Sequence, residues 1–178
     1  QFEASDASEL SAMHRDARIN AHLFDEPELA KTSICSAFLE RLELFYCRYP
    51  GLGLWHASLP DQDHIPVLAG WFSLLPMPGE SSAIELGGRL APAAWGRSIG
   101  IEGGIALLTH AFTTLCLDTV WGTCHPANRP AKLILTALDF QFAGVRDYDG
   151  NRASHYCLPV NRWRESAHLS AGVRLRRS

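Results

Sequence analysis

Apolar positions in the first fifty residues recur at helical spacing. Leu10, Met13 and Ala17 follow Ser5-Asp6-Ala7-Ser8-Glu9, a helix-start signal in which Ser5 can cap and Ser8 or Glu9 stands three or four residues on. From Pro27 to Tyr49, residues Leu29, Ile34, Ala37, Phe38, Leu42, Phe45 and Tyr46 make one face of a second helix, which Pro50-Gly51 ends. The period then changes. Leu52 to Leu59 and Val67 to Leu75, parted by the polar turn Pro60 to His64, are rich in branched and aromatic residues and predict an antiparallel strand pair. Ala83 to Leu90 reads as a third strand interrupted by Gly87-Gly88, which predicts a bulge or a close backbone approach.

After Pro92 the glycine-containing run from Trp95 to Gly104 leads directly into Ile105, Leu108, Phe112 and Leu115, a strong helical stripe. Leu117 to Cys124 predicts a strand, Asn128 to Phe140 a helix carrying Leu133, Leu135, Ala137 and Leu138, and Asp147 to Val160 a hairpin around Asp149-Gly150. The order is mixed α/β. No repeat or linker interrupts it, so one domain over 1–160 is expected, followed by a basic tail over 161–178 with Arg162, Arg164, Arg174, Arg176 and Arg177.

Composition adds exclusions. A chain of 178 residues with 47% hydrophobic and 20% charged content suits one globular core. Sixteen basic and nineteen acidic residues leave a net charge of -3, which gives no global field for nucleic acid or an anionic membrane. Five arginines at the end without a core motif are poor support for a nucleic-acid module. Apolar runs such as Ile105 to Leu108 are too short to span a bilayer, and Gln1-Phe2-Glu3-Ala4 lacks a basic region followed by an apolar one. Cys35, Cys47, Cys116, Cys124 and Cys157 are odd in number and contain no C-x-x-C pair, which argues against zinc and against a disulfide framework, and as small hydrophobes Cys35 and Cys116 suit burial in the apolar helical patterns. A soluble, cytoplasmic protein is the expectation, with neither nucleic acid nor membrane as partner and no metal.

The chemically informative stretch is Arg97 to Gly104. The first amides of a helix lack internal partners and sit at the positive end of its dipole, so a phosphate fits there. Gly96 and Gly100 clear space for a diphosphate, and Arg97 can add a charge-assisted contact. The same glycines also suit tight packing of helix on sheet. The dinucleotide fingerprint G-x-G-x-x-G does not match, and no Gly-Lys-Ser/Thr occurs for a P-loop.

The run from Glu85 to Glu102, containing Gly87-Gly88-Arg89-Leu90-Ala91-Pro92 and Arg97-Ser98-Ile99-Gly100-Ile101, resembles the coenzyme A motif of the GCN5-related N-acetyltransferases. It looks most like the RimJ/RimL-like branch, which modifies ribosomal protein N-termini. His125-Pro126-Ala127-Asn128-Arg129-Pro130-Ala131-Lys132 followed by Leu138-Asp139-Phe140 is similar to the family's asparagine-led helix and its closing Leu-Gly-Phe. Together with Pro50-Gly51-Leu52-Gly53-Leu54-Trp55 the resemblance covers nearly all of the chain to Val160.

The resemblance implies a mostly antiparallel central sheet with a splayed parallel pair and helices on both faces. It implies acetyl-CoA as co-substrate and an amine as acceptor, either a protein α-amine or a small molecule; homodimerisation stays open. Leu90 and Ala91 should present backbone groups to the pantetheine, beside a bulge at Gly87-Gly88. Arg97, Ser98, Ile99, Gly100 and Ile101 should wrap the diphosphate. Asn128 should hold the pantetheine near the thioester, with Ala131 and Lys132 along the same wall.

Three departures stand out. Ser98 occupies a position that is usually glycine, Asp139 replaces the glycine before Phe140, and Ala131 and Leu135 stand where members of the family place a serine and a tyrosine near the leaving thiolate. The usual proton donor is therefore absent. A base need only deprotonate an ammonium, for which Glu85 on the central strand and His125 at the end of the next one are the candidates. Glu85 could equally face solvent, and His125 more simply fixes the Pro126 turn. His14, Arg15, His22 and Asp25 lie between the first helices, where the family's acceptor pocket is bordered. A CoA-binding domain without catalysis is the competing reading.

Overall fold

The computed structural model describes residues 1–24 and 28–165. Asp25 and the arginines at 174, 176 and 177 lie outside the described residues.

The N-terminal helical region is more divided than its periodicity predicts. Helix α1 (Ala7–His14) follows a single 3-10 turn whose capping box is made by Glu3 and Asp6, not Ser5. A new start then intervenes: the Asp16 side chain accepts from the Arg18 amide and opens the short helix α2 (Ala17–Asn20). Helix α3 (Thr32–Arg48) buries Cys35, Leu39 and Leu42, three positions four or three apart.

Six strands form one sheet in the order β1-β2-β3-β4-β6-β5. Strands β1 (Gly53–Pro60), β2 (Pro66–Met77) and β3 (Glu80–Leu90) make an antiparallel meander. Helix α4 (Ile99–Thr113) then crosses over to β4 (Thr119–Cys124), which lies parallel to β3. Helix α5 (Arg129–Ala137) leads to the hairpin of β5 (Gln141–Tyr148) and β6 (Asn151–Pro159), with β6 antiparallel to β4.

The sheet divides two hydrophobic clusters because side chains alternate across each strand. Phe72, Leu74, Ile84, Leu86, Val120 and Leu158 face Leu108, Phe112, Leu135 and Leu138 of the α4 and α5 region. Leu54 and Trp71 instead meet Leu10, Cys35 and Leu39 of α1 and α3. Glu85 and Arg89 share this second face with Leu75 and Trp71, their directly opposed partners on β2.

Three expectations need correction. Gly87 and Gly88 make no bulge, since they pair in unbroken register with Ser73 and Phe72; the shift in this ladder lies at Pro76/Met77. Close approach is the reason for the glycines, because a Cβ on Gly87 would lie 2.7 Å from the Ser73 hydroxyl oxygen. The last hairpin begins at Gln141 rather than Asp147, its first strand hidden by a register shift between Phe142 and Gly144 and by its exposed edge position. Cys116 is exposed beyond the end of α4 and does not belong to the apolar stripe.

The basic end starts inside the folded part. Residues 160–165 are helical, Trp163 lies 5.1 Å from the Phe112 ring, and Arg162 Nε donates to the Asp139 carbonyl at 3.0 Å while its Nη2 pairs with the Asp139 carboxylate. Asp139 has φ +67°, the left-handed conformation usual for glycine just past a helix. Its carboxylate thus gains a partner that glycine would lack.

Candidate functional site

The two central parallel strands separate almost as soon as they meet. β3 and β4 pair only through Ile84 with Val120 and Glu85 with Trp121, after which β3 continues to Leu90 and β4 to Cys124. Parallel strands that part in this way leave backbone and side chains of both facing a gap. Three connected cavities occupy it, and Gly88 and Ala131 line all three.

The first, about 370 Å³, brings together Glu85 from β3, Thr123 and His125 from β4 and its end, Asn128 from the start of α5, and Tyr148 from β5, with His22 and Phe24 across them. Tyr148 donates its hydroxyl hydrogen to Glu85 Oε2 at 2.7 Å. Burial pushes the Glu85 carboxyl above the ordinary carboxylate range, with the Tyr148 hydroxyl and Thr123 pulling the other way. Glu85 therefore joins the properties of a base: it is shielded and more basic than an exposed carboxylate.

His125 is placed differently. Its Nδ1 accepts from the Ala127 amide at 3.1 Å, so in the neutral ring the proton resides on Nε2. Its ring stacks on His22 at 5.7 Å and meets Phe24 at 5.9 Å. In that state His125 fixes the Pro126 turn and offers the pocket a donor, not a base. His14 does not reach the pocket: it is fully buried, accepts from Trp71 Nε1 at 3.4 Å, and has Arg89 Nη1 3.4 Å from its other nitrogen. Arg15 is turned toward the Ala30 carbonyl.

The second cavity is a groove of about 540 Å³ between the α2 region and α5, lined by Arg18, Leu90, Trp95, Gly96, Pro130 and Ile134 among others. At its edge the Leu90 carbonyl accepts from Trp95 Nε1 at 2.9 Å, and the Ala91 amide is committed to the Ala69 carbonyl at 2.8 Å. Leu90 retains a second carbonyl lone pair. Ala91 has no amide hydrogen to spare.

Beyond Trp95 the chain turns through Gly96 at φ +74° and Ser98 at φ +61° into α4. Ile101 and Glu102 donate back to the Ser98 carbonyl, so the amides at 97–100 precede the first internal bond of the helix. Amides so placed suit an anion, and exposed Arg97 lies beside them. Ser98 meets the departure from glycine by adopting the left-handed backbone itself, and its hydroxyl makes no cap bond.

At α5, Asn128 Oδ1 accepts from the Ala131 amide at 3.1 Å and caps the helix. That leaves the Asn128 amide NH₂ as its only donor toward the cavities. Lys132 is half-buried one position beyond Ala131, close enough to draw the Cys124 thiol down against the larger upward push of burial. The third cavity, about 120 Å³, is lined mainly by apolar side chains and includes Leu135 with Ala131.

Sequence reading missed Tyr148 and Trp95. Tyr148 stands just before the Asp149-Gly150 turn, but only the pairing of β6 with both β4 and β5 carries it to Glu85. No local signal records that. Trp95 was visible as the start of the glycine-rich run, whereas its bond back to Leu90 depends on the intervening 3-10 turn Pro92–Ala94.

Residues 1–141 match the family described as acetyltransferase (GNAT) domain. Among solved structures, the ribosomal-protein-S5-alanine acetyltransferase from Vibrio fischeri is 14% identical with a TM-score of 0.73, over 91% of this chain and 92% of that one. Mycobacterium smegmatis RimJ in complex with CoA-disulfide is 15% identical with a TM-score of 0.70, over 93% and 87%. The microcin C7 self-immunity acetyltransferase in complex with acetyl-CoA and AMP is 15% identical with a TM-score of 0.68, over 88% of each. At these identities the likeness is one of fold.

Proposed function

The chain belongs to the acetyltransferase (GNAT) domain family, and from that premise we propose that Glu85 serves as the base in transfer of an acetyl group from acetyl-CoA to a primary amine. The observation that carries this reading is the 370 Å³ pocket at the mouth of the splayed strands, in which Glu85 is buried and hydrogen-bonded to Tyr148.

The residues suit the co-substrate. Backbone amides at 97–100 and the Arg97 guanidinium would receive the diphosphate. The Leu90 carbonyl and the Asn128 amide would meet the pantetheine in the 540 Å³ groove, with Trp95 sharing or releasing the carbonyl. Bound acetyl-CoA supplies the activated thioester. The pocket supplies position, which alone can contribute several kcal/mol to a bimolecular reaction.

In the pocket, the Glu85 carboxylate takes a proton from the arriving ammonium, directly or through a water. The neutral nitrogen attacks the thioester carbonyl, and the thiolate leaves. Ala131 and Leu135 offer no acid to that thiolate, so its protonation falls to solvent or to the Tyr148 hydroxyl. A strong acid is not required, because a thiolate is a stable leaving group near neutral pH.

The acceptor is the end of a chain or a small molecule, since its pocket opens beside His22, Leu23 and Phe24 and is shared with the donor groove at Gly88 and Ala131. A protein α-amine, as in the RimJ/RimL-like branch, fits that shape. Five free cysteines favour a reducing compartment such as the cytoplasm, and among the described residues no helix is long and apolar enough to cross a membrane.

Acetyl-CoA-dependent thiol release across a panel of peptides and small amines tests the proposal. Turnover with at least one amine, reduced by Glu85→Gln, is the expected result. Calorimetric CoA binding without turnover on any amine would overturn catalysis and leave the CoA-binding reading; no CoA binding would overturn both.

A further inference from the structure

The smallest of the three cavities has no evident use in transferring an acetyl group. It holds about 120 Å³ and reaches from the junction at Ala131 into the cluster of Phe72, Leu86, Leu135 and Leu138. The two positions where the resemblance leads one to look for hydroxyl groups, 131 and 135, both present only carbon to this space. Glycines help to keep it open: a Cβ on Gly100 would lie 2.7 Å from Ile134 Cδ1, and one on Gly104 would collide with Leu138.

Chemistry separates this cavity from the groove beside it. Pantetheine carries two amides, and burying an amide without a partner is costly. Among the lining side chains only Thr123 can hydrogen-bond, so away from the strand-edge backbone of Gly87, Gly88 and Leu90 the cavity suits a hydrocarbon better than the pantetheine arm. The polar arm has the larger groove, which shares Ala131, Leu90 and Ile134 with the cavity. A thioester at the Ala131 junction would thus have the acceptor pocket on one side and this apolar recess on another.

We propose that the enzyme also uses straight-chain acyl-CoA donors longer than acetyl, with the acyl tail in this recess. A water molecule's share of liquid volume is about 30 Å³ and a methylene is of similar size, so the space takes a tail of about four carbons. The inference rests on the acyltransferase reading. The reaction conserves atoms: Glu85 takes one proton from the ammonium, the neutral nitrogen forms a bond to the acyl carbonyl carbon, the carbon–sulfur bond breaks with its electron pair leaving on sulfur, and the nitrogen's second proton passes through solvent to the thiolate, so that the products are an amide and CoA thiol.

The test measures kcat/KM of the full chain with one accepted amine and acetyl-, propionyl-, butyryl-, hexanoyl- and decanoyl-CoA, with products identified by mass. Propionyl and butyryl donors should match or exceed acetyl, gaining at most about fourfold per methylene, and decanoyl should fail. Leu135→Phe should fill the recess and lower the butyryl-to-acetyl ratio by about tenfold or more. Leu135→Ala should instead move the optimum toward longer chains, and it reads the same cavity if the phenylalanine variant does not fold. Acetyl preferred over propionyl and butyryl by about tenfold, or a ratio unmoved by either substitution, overturns the proposal alone. Failure of every donor, acetyl included, overturns the acyltransferase reading with it.

Discussion

Tyr148 donates a hydrogen bond of 2.7 Å to Glu85 across two strands that are not neighbours in the sheet. The bond favours the ionised carboxylate, against the larger effect of burial. Removing the donor in Tyr148→Phe must raise the Glu85 pKa further. With the Glu85 carboxylate as the proposed base, the acid limb of the kcat/KM profile should move to higher pH, with the rate recovered on its alkaline side. A limb that stays in place would remove Tyr148 from the proton chemistry.

Glu85 also sets a pH dependence of stability. Its folded pKa lies above its unfolded value, so ionisation is disfavoured in the fold. Its stabilising contribution is complete below the ordinary carboxylate range and is lost as pH rises through the folded pKa. Glu85→Gln keeps a partner for Tyr148 and removes the titration. Its melting temperature relative to the wild type should therefore climb as pH rises from the ordinary carboxylate range through the folded pKa, while activity falls by about 10²–10⁴-fold. A difference in melting temperature that does not vary with pH would contradict the assignment.

Asn128 combines a helix cap with a place on the donor groove, and two substitutions separate these roles. Asn128→Ala removes both and should cost about 1 kcal/mol of stability as well as raising KM for acetyl-CoA. Asn128→Asp keeps an oxygen for the Ala131 amide but replaces the NH₂ donor. Its KM should rise with little change in melting temperature. Equal KM for Asn128→Asp and wild type would leave Asn128 as a cap alone.

Ser98 and Asp139 both hold left-handed backbone, and glycine should affect them differently. Ser98 makes no cap bond, so Ser98→Gly should stabilise the protein by about 1 kcal/mol through relief of that conformation alone. At Asp139 the same relief is opposed by loss of Arg162, so Asp139→Gly should be near neutral and Asp139→Ala destabilising by about 1–3 kcal/mol. Chemical denaturation of the three variants measures these differences.

The pattern of apolar residues was enough to locate α3, α4, α5 and the first four strands to within a few residues, because each carries a period tied to one buried face. It failed where neither face is regularly buried. β5 lies at the sheet edge, with Phe142 and Val145 exposed, and so carries no alternation to read. The candidate site was legible in its placement where it is built from a contiguous stretch, with 97–100 at a helix start and Asn128 capping the next helix at the groove. Between Glu85 and His125 the sequence could not choose, since the difference is made by Tyr148 and the Ala127 amide, whose positions follow from sheet order and a local turn. For Asp139 the answer lay 23 residues away at Arg162.

The central sheet acts as a partition between two independently packed clusters, one under α1 and α3 and the other under α4 and α5. Side chains that share no partners contribute additively, so changes on the two sides should seldom interfere. A descendant can then rewrite the packing under α1 and α3 without disturbing the α4 and α5 side, whereas the cavities are coupled, since His22, Leu23, Arg89 and Asn128 line both the 370 Å³ pocket and the 540 Å³ groove. Gly88 and Ala131, which touch all three cavities, are where that freedom is smallest.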